Sequence, residues 1–120
     1  MSAVRAIRGA TSVPRDSREL IHERTAELVA AVMERNGLVP DDLISVIFTS
    51  TEDLVSAFPA AGAREMGLGA VPLICAREIP VPGALPSCVR LMAHAKMPVD
   101  RPVRHVYLHE AVALRADLAQ

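Results

Sequence analysis

The sequence predicts a single α+β domain in which helices cover one face of a mixed β-sheet. Its 120 residues are the length of one domain. Apolar residues recur at helical spacing in one long segment, and they alternate or run continuously in several shorter segments. The order of these segments, β-α-β-α-β-(β)-β, is typical of a sheet with its helices on one side.

An N-terminal strand and a long helix open the predicted fold. Apolar and polar residues alternate over residues 3–13, as in a strand with two different faces. Asp16 followed by Glu19 is a capping-box pattern, and Gly37 is a typical C-terminal stop. A helix is therefore predicted from Asp16 to about Asn36. The residues expected to face the core are Ile21, Leu28 and Val32, with Leu20, Val29 and Met33 beside them, and those expected to face water are His22, Glu23, Glu27 and Glu34.

Shorter elements are predicted for the rest of the chain. Residues 43–51 are rich in β-branched side chains and almost continuously apolar, which predicts a buried strand. Pro59 at an early helical position predicts a short helix that reaches about Met66 and is closed by Gly67 and Gly69. The remaining predictions are a strand over residues 71–75, a proline-rich loop over 79–86, a strand or a helix over 88–96, and a final strand over 103–115.

Charge and composition exclude several classes of function. The formal net charge is −1, so the chain lacks the basic field that attracts nucleic acids and anionic membranes. Three aromatic residues leave no platform on which bases could stack. The first five residues do not resemble a signal peptide, and no apolar run approaches a membrane span in length. We therefore expect a cytoplasmic protein with no nucleic-acid or membrane partner. Cys75 and Cys88 are expected to be reduced there, with a disulfide as the alternative.

The core of this domain must be built almost entirely from aliphatic side chains. Hydrophobic residues make up 51% of the chain, but the aromatic ones are only Phe48, Phe58 and Tyr107. The mean hydropathy is positive, at +0.27. A small domain of this composition can bury further apolar surface between subunits, so we expect a homo-oligomer with pockets between its chains.

Arginine is the most informative residue type in this chain. It occurs twelve times against a single lysine, Lys96, a skew that codon bias alone can also produce. Codon bias explains less well why several arginines interrupt apolar segments; these are Arg8, Arg64, Arg90, Arg104 and Arg115. A guanidinium group that becomes partly buried needs an anion, and its planar fork of donors matches a carboxylate. The pattern predicts a pocket for a small molecule that carries carboxylates.

Metal, covalent and phosphate chemistry have weaker support. His105 and His109 would lie on one face of a strand, but no nearby carboxylate or cysteine completes a ligand set, so no metal is expected. Cys75 could be a thiolate nucleophile, although a cysteine at the end of an apolar strand is more often a core residue. Residues 67–69 contain two glycines but lack the further glycine and lysine of a nucleotide-binding loop.

Glu78 and Arg90 each have two interpretations. Glu78 follows an apolar strand, so it either faces inward toward an arginine or is a solvated loop residue, which its local sequence favours. Arg90 points either into a pocket or out to water. No nucleophile–base pair is evident, so the site is expected to act by positioning and electrostatics rather than by proton relay.

Several segments, taken together and in order, carry a resemblance to a known family. They are Ile7-Arg8-Gly9-Ala10-Thr11, Asp53-Leu54, Phe58-Pro59-Ala60 with Arg64-Glu65, Val71-Pro72 with Cys75 and Glu78, Gly83 with Cys88 and Arg90, and Arg104-His105-Val106-Tyr107-Leu108 with Leu114-Arg115 and Asp117-Leu118. Spread over residues 3–118, they resemble the monofunctional chorismate mutases of the AroH class.

The resemblance implies three subunits that form a pseudo-α/β-barrel trimer, with active sites in clefts between neighbouring subunits. It also implies that the chain isomerises chorismate to prephenate in phenylalanine and tyrosine biosynthesis, without a cofactor or a metal. Chorismate is a small dicarboxylate, as the arginine pattern requires. Its Claisen rearrangement is intramolecular, and negative charge gathers on the ether oxygen as the C–O bond breaks.

The resemblance also implies roles for individual residues. Arg90 would stabilise the ether oxygen in the transition state, and Arg8 would bind the side-chain carboxylate with help from Tyr107. Glu78 and Cys75 would hold the ring hydroxyl, and Glu78 would face the positive charge that develops on the ring. The residues that would line or cover the cavity are Leu73 and Ile74 through their main chain, and Phe58, Ala60, Arg64, Leu114 and Arg115 from a neighbouring subunit's edge or the tail.

The chain departs from the family pattern in ways that affect these implications. Ala61 stands where members often carry a lysine. The absence of this cation near the mouth of the cleft is expected to weaken substrate capture more than the chemical step. Ile74 stands where a hydroxyl residue is common, and residues 80–83 are rich in proline. The chain ends five residues after Arg115, so any lid formed by the tail would be short.

Two rival functions remain from the sequence. One is a trimeric protein of similar fold that binds a small carboxylate without converting it. The other is an enzyme that uses Cys75 as its nucleophile, in which case Cys75→Ala would abolish the activity that a mutase would largely keep.

Overall fold

The computed structural model describes residues 1–115, which form a five-stranded mixed β-sheet with its helices on one face. The strands are β1 (Ser2–Ser12), β2 (Leu43–Ser50), β3 (Leu73–Arg77), β4 (Cys88–Pro98) and β5 (Val106–Tyr107), and the helices are α1 (Arg18–Asn36) and α2 (Pro59–Ala63). Short 3-10 segments occupy Pro40–Asp42 and His109–Arg115, and a π turn occupies Arg64–Leu68. Within the described part of the chain, neither helix is long and apolar enough to cross a membrane.

The order of strands across the sheet is β3-β2-β4-β1-β5. Strand β4 is central and runs antiparallel to both β1 and β2. The outer strands β3 and β5 run parallel to their neighbours. The α+β class and the mixed sheet predicted from the sequence are therefore confirmed.

Helix α1 packs against the sheet through the residues that its periodicity predicts. Ile21, Leu28 and Val32 are all buried, and Val29 widens the same stripe. The closest approach is at Gly9 of β1, where an added Cβ would lie only 3.2 Å from side-chain atoms of Leu28 and Val32. The hydrophobic core therefore lies between α1 and one face of the sheet.

Helix α1 begins at a different cap from the one predicted, because Ser17 rather than Asp16 is the N-cap. Ser17 Oγ accepts the N–H of Leu20 at 3.4 Å. Asp16 Oδ1 instead accepts the N–H groups of Val55 and Ser56, each at 3.0 Å. Desolvation raises the pKa of the Asp16 carboxyl, but these backbone hydrogen bonds outweigh it, so the pKa lies below its usual value. The acidic residue thus holds a distant loop instead of its own helix.

In the middle of the chain, the structure decides between strand and helix for one segment and shows that another strand begins later than predicted. Residues 88–96 form strand β4 rather than a helix, and hydrogen bonding on both edges explains why this segment is extended. Strand β3 begins at Leu73, two residues later than predicted. The N–H of Val71 bonds to the Leu68 carbonyl in a turn, and Pro72 has no N–H to donate to a ladder.

The predicted final strand over residues 103–115 is wrong except at Val106 and Tyr107. These two residues pair with Gly9 and Ala10 at the edge of the sheet. At His109 the backbone φ is 54°, in the left-handed region, so the chain turns out of the strand direction and continues as a 3-10 helix.

Two burial patterns also differ from the predictions. His22 is not on the water-facing side of α1, because its side chain is 15% exposed and its Nδ1 lies 2.6 Å from Glu65 Oε1. Strand β2 is not buried on both faces, since Ile44 and Ile47 keep 42% and 40% of their surface exposed. The continuous apolar run of β2 therefore does not show that both faces of this strand are buried within one chain.

The face of the sheet away from the helices, called the open face below, carries exposed aliphatic side chains. Val4 is 58% exposed and Ile74 is 63% exposed. Ile47 lies between Met92 on β4 and Ile74 on β3 in the strand register, so these side chains form one continuous patch. An apolar surface of this kind is typical of a region that another chain covers.

We expect Gly62→Ala to destabilise the fold. Gly62 of α2 lies against α1, where an added Cβ would stand 2.9 Å from the His22 carbonyl oxygen and 3.0 Å from His22 Cα. Because both atoms belong to the backbone, α2 would have to move away, which should lower the free energy of unfolding by about 1–3 kcal/mol.

Gly69→Ala is the matched control for this prediction. Gly69 has an ordinary helical φ of −62°, and no described atom lies within 4 Å of its added Cβ. Urea denaturation at a fixed chain concentration measures both variants. Equal stabilities would contradict the close packing of α2 on α1.

Candidate active site

A cleft of about 240 Å³ opens on the open face of the sheet and is called the arginine cleft here. Arg8 of β1, Arg90 of β4 and Tyr107 of β5 all line it. The strand register explains why they meet, because Ala10 pairs with Arg90 on one side and with Tyr107 on the other. Three residues far apart in the sequence thus become neighbours on one surface.

Glu78 lies beside Arg90 and faces inward, which decides between its two interpretations. Its Oε2 is 3.1 Å from Arg90 Nε, and its side chain is 15% exposed. The Arg90 Nε is buried and its N–H is not aligned on any described acceptor, so the contact is an ion pair rather than a directed hydrogen bond. The Arg90 side chain as a whole remains 43% exposed, so its guanidinium stays accessible at the cleft.

Thr49 completes this arrangement, although no motif or periodicity singled it out in the sequence analysis. It pairs directly with Arg90 across the β2–β4 ladder and lines the arginine cleft. Its Oγ1 donates a hydrogen bond of 2.7 Å to Glu78 Oε2. The N–H of Glu78 also donates to the Ser50 carbonyl at 3.0 Å. Glu78 is therefore held by both its backbone and its side chain.

The start of the strand that carries Arg90 is held by a hydrogen-bonded turn. Ser87 has a φ of 54°, and its N–H donates to Asp53 Oδ2 at 3.0 Å. The N–H of Cys88 donates to Thr51 Oγ1 at 3.0 Å, and Thr51 Oγ1 donates in turn to Asp53 Oδ1 at 2.5 Å. These contacts fix the backbone just before Arg90. The only sequence signal for them is a hydroxyl and a carboxylate two residues apart at the end of an apolar strand.

The two histidines considered as metal ligands have separate structural partners. The Nδ1 of His105 accepts the N–H of Arg8 at 2.9 Å. His109 Nε2 lies 2.8 Å from Glu27 Oε1, which joins the 3-10 segment to α1. Among residues 1–115, no group of three histidine, cysteine, aspartate or glutamate side chains could hold a metal ion.

Cys75 does not face the arginine cleft. It pairs with the core residue Phe48, so its side chain lies on the helix side of the sheet and packs against the hydrophobic core. There it lines a second cleft of about 570 Å³ together with His22 and Phe58, called the helix-side cleft below. Within one chain, therefore, the side chains of Cys75 and Glu78 cannot both bind the ring hydroxyl of the substrate, as the resemblance implied. Only main-chain atoms of Cys75 could make that contact.

Three further predicted residues come from α2 and its ends, on the helix side. Phe58 is 71% exposed at the mouth of the helix-side cleft. Ala60 is only 4% exposed and packs in the core, so its side chain is not available to a ligand. Arg64 is exposed in the π turn that follows α2, next to the Glu65–His22 contact. None of these three lines the arginine cleft of the same chain.

The remaining predicted residues lie at the sheet edges. Leu73 is half-buried against the core, whereas Ile74 points to the open face and is 63% exposed. Leu114 packs against a small cluster that contains Tyr107, which brings the 3-10 segment close to the arginine cleft. The side chain of Arg115 lies outside the described residues.

Cys75 and Cys88 are both free, so the disulfide alternative is wrong. Cys88 is fully buried at the start of β4. Burial raises the pKa of its thiol to about 11, and the Glu78 carboxylate acts in the same direction. Cys88 is therefore an inert, protonated thiol at neutral pH, whereas Cys75 borders an open cleft.

We expect a thiol reagent to modify Cys75 much faster than Cys88 in the folded protein. At about pH 8, Cys88 should stay protonated and inaccessible, so native Cys75→Ala protein should take up almost no label. Peptide mass spectrometry measures the rates, and unfolding in denaturant is the control that exposes both thiols. Labelling of Cys88 at the rate of Cys75 would contradict its burial beside Arg90.

Comparisons with known proteins give a consistent result over nearly the whole chain. The family model described as chorismate mutase type I matches residues 4–118. A protein named chorismate mutase AroH from Thermus thermophilus is 54% identical over 118 residues, which is 96% of each chain. The protein of the same name from Bacillus subtilis strain 168 is 40% identical over 119 residues, covering 97% of this chain and 93% of its own.

A solved structure agrees with these sequence matches. The structure of a chorismate mutase from Clostridium thermocellum superposes with a TM-score of 0.86 at 45% identity. The match covers 91% of this chain and 98% of the other.

Proposed function

Since the chain belongs to the chorismate mutase type I family and is an isomerase that converts chorismate to prephenate, we propose that the arginine cleft is where it does so. The observation that carries this assignment is the geometry of Arg90. Its guanidinium is anchored beside Glu78 on the central strand, yet it remains accessible in a cleft that Arg8 also lines. Two cations in one cleft, one of them anchored by an ion pair, suit a dianionic substrate.

Arg90 acts on the charge that develops as the substrate rearranges. The enolpyruvyl arm folds over the ring, and the breaking C–O bond leaves negative charge on the ether oxygen. A guanidinium fixed in advance near that oxygen stabilises the transition state more than the ground state, and it needs no reorganisation at the moment of reaction. The rearrangement is intramolecular, so the residues contribute by positioning and electrostatics rather than by covalent attack.

The other cleft residues bind and orient the substrate in this proposal. Arg8 binds the carboxylate of the enolpyruvyl arm, with Tyr107 beside it across Ala10. Glu78 accepts a hydrogen bond from the ring hydroxyl, and its carboxylate faces the ring as positive charge develops there. Main-chain groups of Cys75, on the edge strand β3, contribute to binding the ring hydroxyl.

We also propose that the protein is cytoplasmic, as expected for a biosynthetic enzyme of this kind.

We further propose that the chain works as a homotrimer with sites shared between subunits. The exposed aliphatic patch on the open face supports an interface on that side of the sheet. Phe58 and Arg64 are exposed on the helix side, away from the arginine cleft of their own chain. A neighbour that presents these two residues to Arg90 would complete a site that one chain leaves open. Sedimentation of the purified protein tests the trimer, and an active monomer would rule it out.

We expect Arg90→Ala to lower kcat by about 100- to 1000-fold, roughly the 3–4 kcal/mol that a single aimed donor contributes to a transition state. The loss of chorismate absorbance with purified protein and no additives measures it. Arg35→Ala is the matched control, because Arg35 is exposed in the last turn of α1, and it should keep wild-type turnover. Near-normal turnover by Arg90→Ala would contradict the mechanism.

Arg64→Ala should mainly raise KM, and mixing it with Arg90→Ala tests whether the site is shared. If Arg64 serves the Arg90 of a neighbouring subunit, refolding the two variants together at equal amounts leaves about a quarter of the sites intact. Activity at low chorismate should then rise well above that of either variant alone. If both residues acted within one chain, every site would carry one defect and no activity would return.

A further inference from the structure

Glu78 would be difficult to hold in place by its ion pair alone. It lies one residue beyond the end of β3, before a loop, and a glutamate side chain has three rotatable bonds. Its partner Arg90 is also the cation that substrate must attract. When a dianion enters the cleft, it repels the Glu78 carboxylate and competes for the same guanidinium. A second contact that does not involve Arg90 is needed to keep the carboxylate in place.

Thr49 provides such a contact from a rigid part of the sheet. Its Oγ1 donates to Glu78 Oε2 at 2.7 Å, a short hydrogen bond to a charged acceptor. Thr49 lies within β2, which is paired on both sides, and it is directly opposite Arg90 in the β2–β4 register. Its β-branched side chain has a restricted χ1, so the hydroxyl is aimed in advance.

We propose that Thr49 is a positioning residue for the rearrangement, acting through Glu78; this rests on the function proposed above. Both the Thr49 hydroxyl and Arg90 Nε contact Oε2 of Glu78. Because both contacts occupy Oε2, they leave Oε1 for the ring hydroxyl of the substrate. Thr49 itself need not touch the substrate. Its effect is to keep the carboxylate oriented while Arg90 engages the developing negative charge.

The test compares Thr49→Val with Thr49→Ser in steady-state kinetics. Valine keeps the shape and the strand preference of threonine but removes the hydroxyl, so kcat should fall about 10-fold or more while KM changes less. Serine keeps the hydroxyl and should restore most of the lost turnover. Thr49→Ala serves as a second variant without the hydroxyl should valine disturb the fold, which thermal denaturation of each variant reports.

Thr25→Val is the matched control for removing a threonine hydroxyl. Thr25 is fully buried in α1, and its Oγ1 has no hydrogen-bond partner among the described residues. The substitution therefore breaks no contact at the cleft, and both kcat and KM should stay at wild-type values.

A double-mutant cycle with Glu78→Ala separates positioning from a general effect on the sheet. If Thr49 acts through Glu78, then Thr49→Val should cost almost nothing further once the carboxylate is gone. An unchanged loss in that background would overturn the proposal, as would wild-type kinetics for Thr49→Val or equal losses for valine and serine. Near-normal turnover by Arg90→Ala would instead overturn the proposed function of the arginine cleft, and the role of Thr49 in it.

Discussion

The ion pair between Glu78 and Arg90 is the contact on which the rest of the site depends. A guanidinium on the central strand of a sheet cannot be desolvated without an anion nearby, and Glu78 is that anion at 3.1 Å. The pair is not fully enclosed, because the Arg90 side chain remains 43% exposed. The carboxylate therefore fixes the cation without removing it from the cleft. A fixed and accessible cation is what electrostatic catalysis of this rearrangement requires.

The hydrophobic core and the proposed active site lie on opposite faces of the sheet. Along β1, β2 and β4, cleft residues alternate with core residues: Arg8 follows Ile7, Thr49 follows Phe48, and Arg90 follows Val89. Side chains of consecutive strand residues point to opposite faces, so the same strands build the core and the cleft. A slip of one residue in register would exchange the two sets. The close packing of α1 on Gly9 therefore also helps to keep the arginines on the open face.

Periodicity predicted some parts of this chain well because those parts are governed by short-range rules. The buried stripe of α1 and the alternation of β1 follow from side chains repeating at fixed intervals. Predictions from local sequence patterns failed where a segment distant in the sequence formed hydrogen bonds with the same residues. Asp16 fits a helix cap, but the N–H groups of Val55 and Ser56 bind it, and Ser17 caps α1 instead. Residues 88–96 are compatible with helix or strand until β1 and β2 pair with them on both sides.

The sequence by itself determined the α+β class, the family, and Arg8, Glu78, Arg90 and Tyr107 as the residues to examine, because composition, periodicity and ordered motifs are all properties of the linear chain. Only the tertiary structure decided that Glu78 faces Arg90, that Thr49 holds it, and that the Cys75 side chain lies on the opposite face. The physical reason is strand pairing. Which residues meet across a sheet depends on the register between segments tens of residues apart, and no local pattern specifies that register.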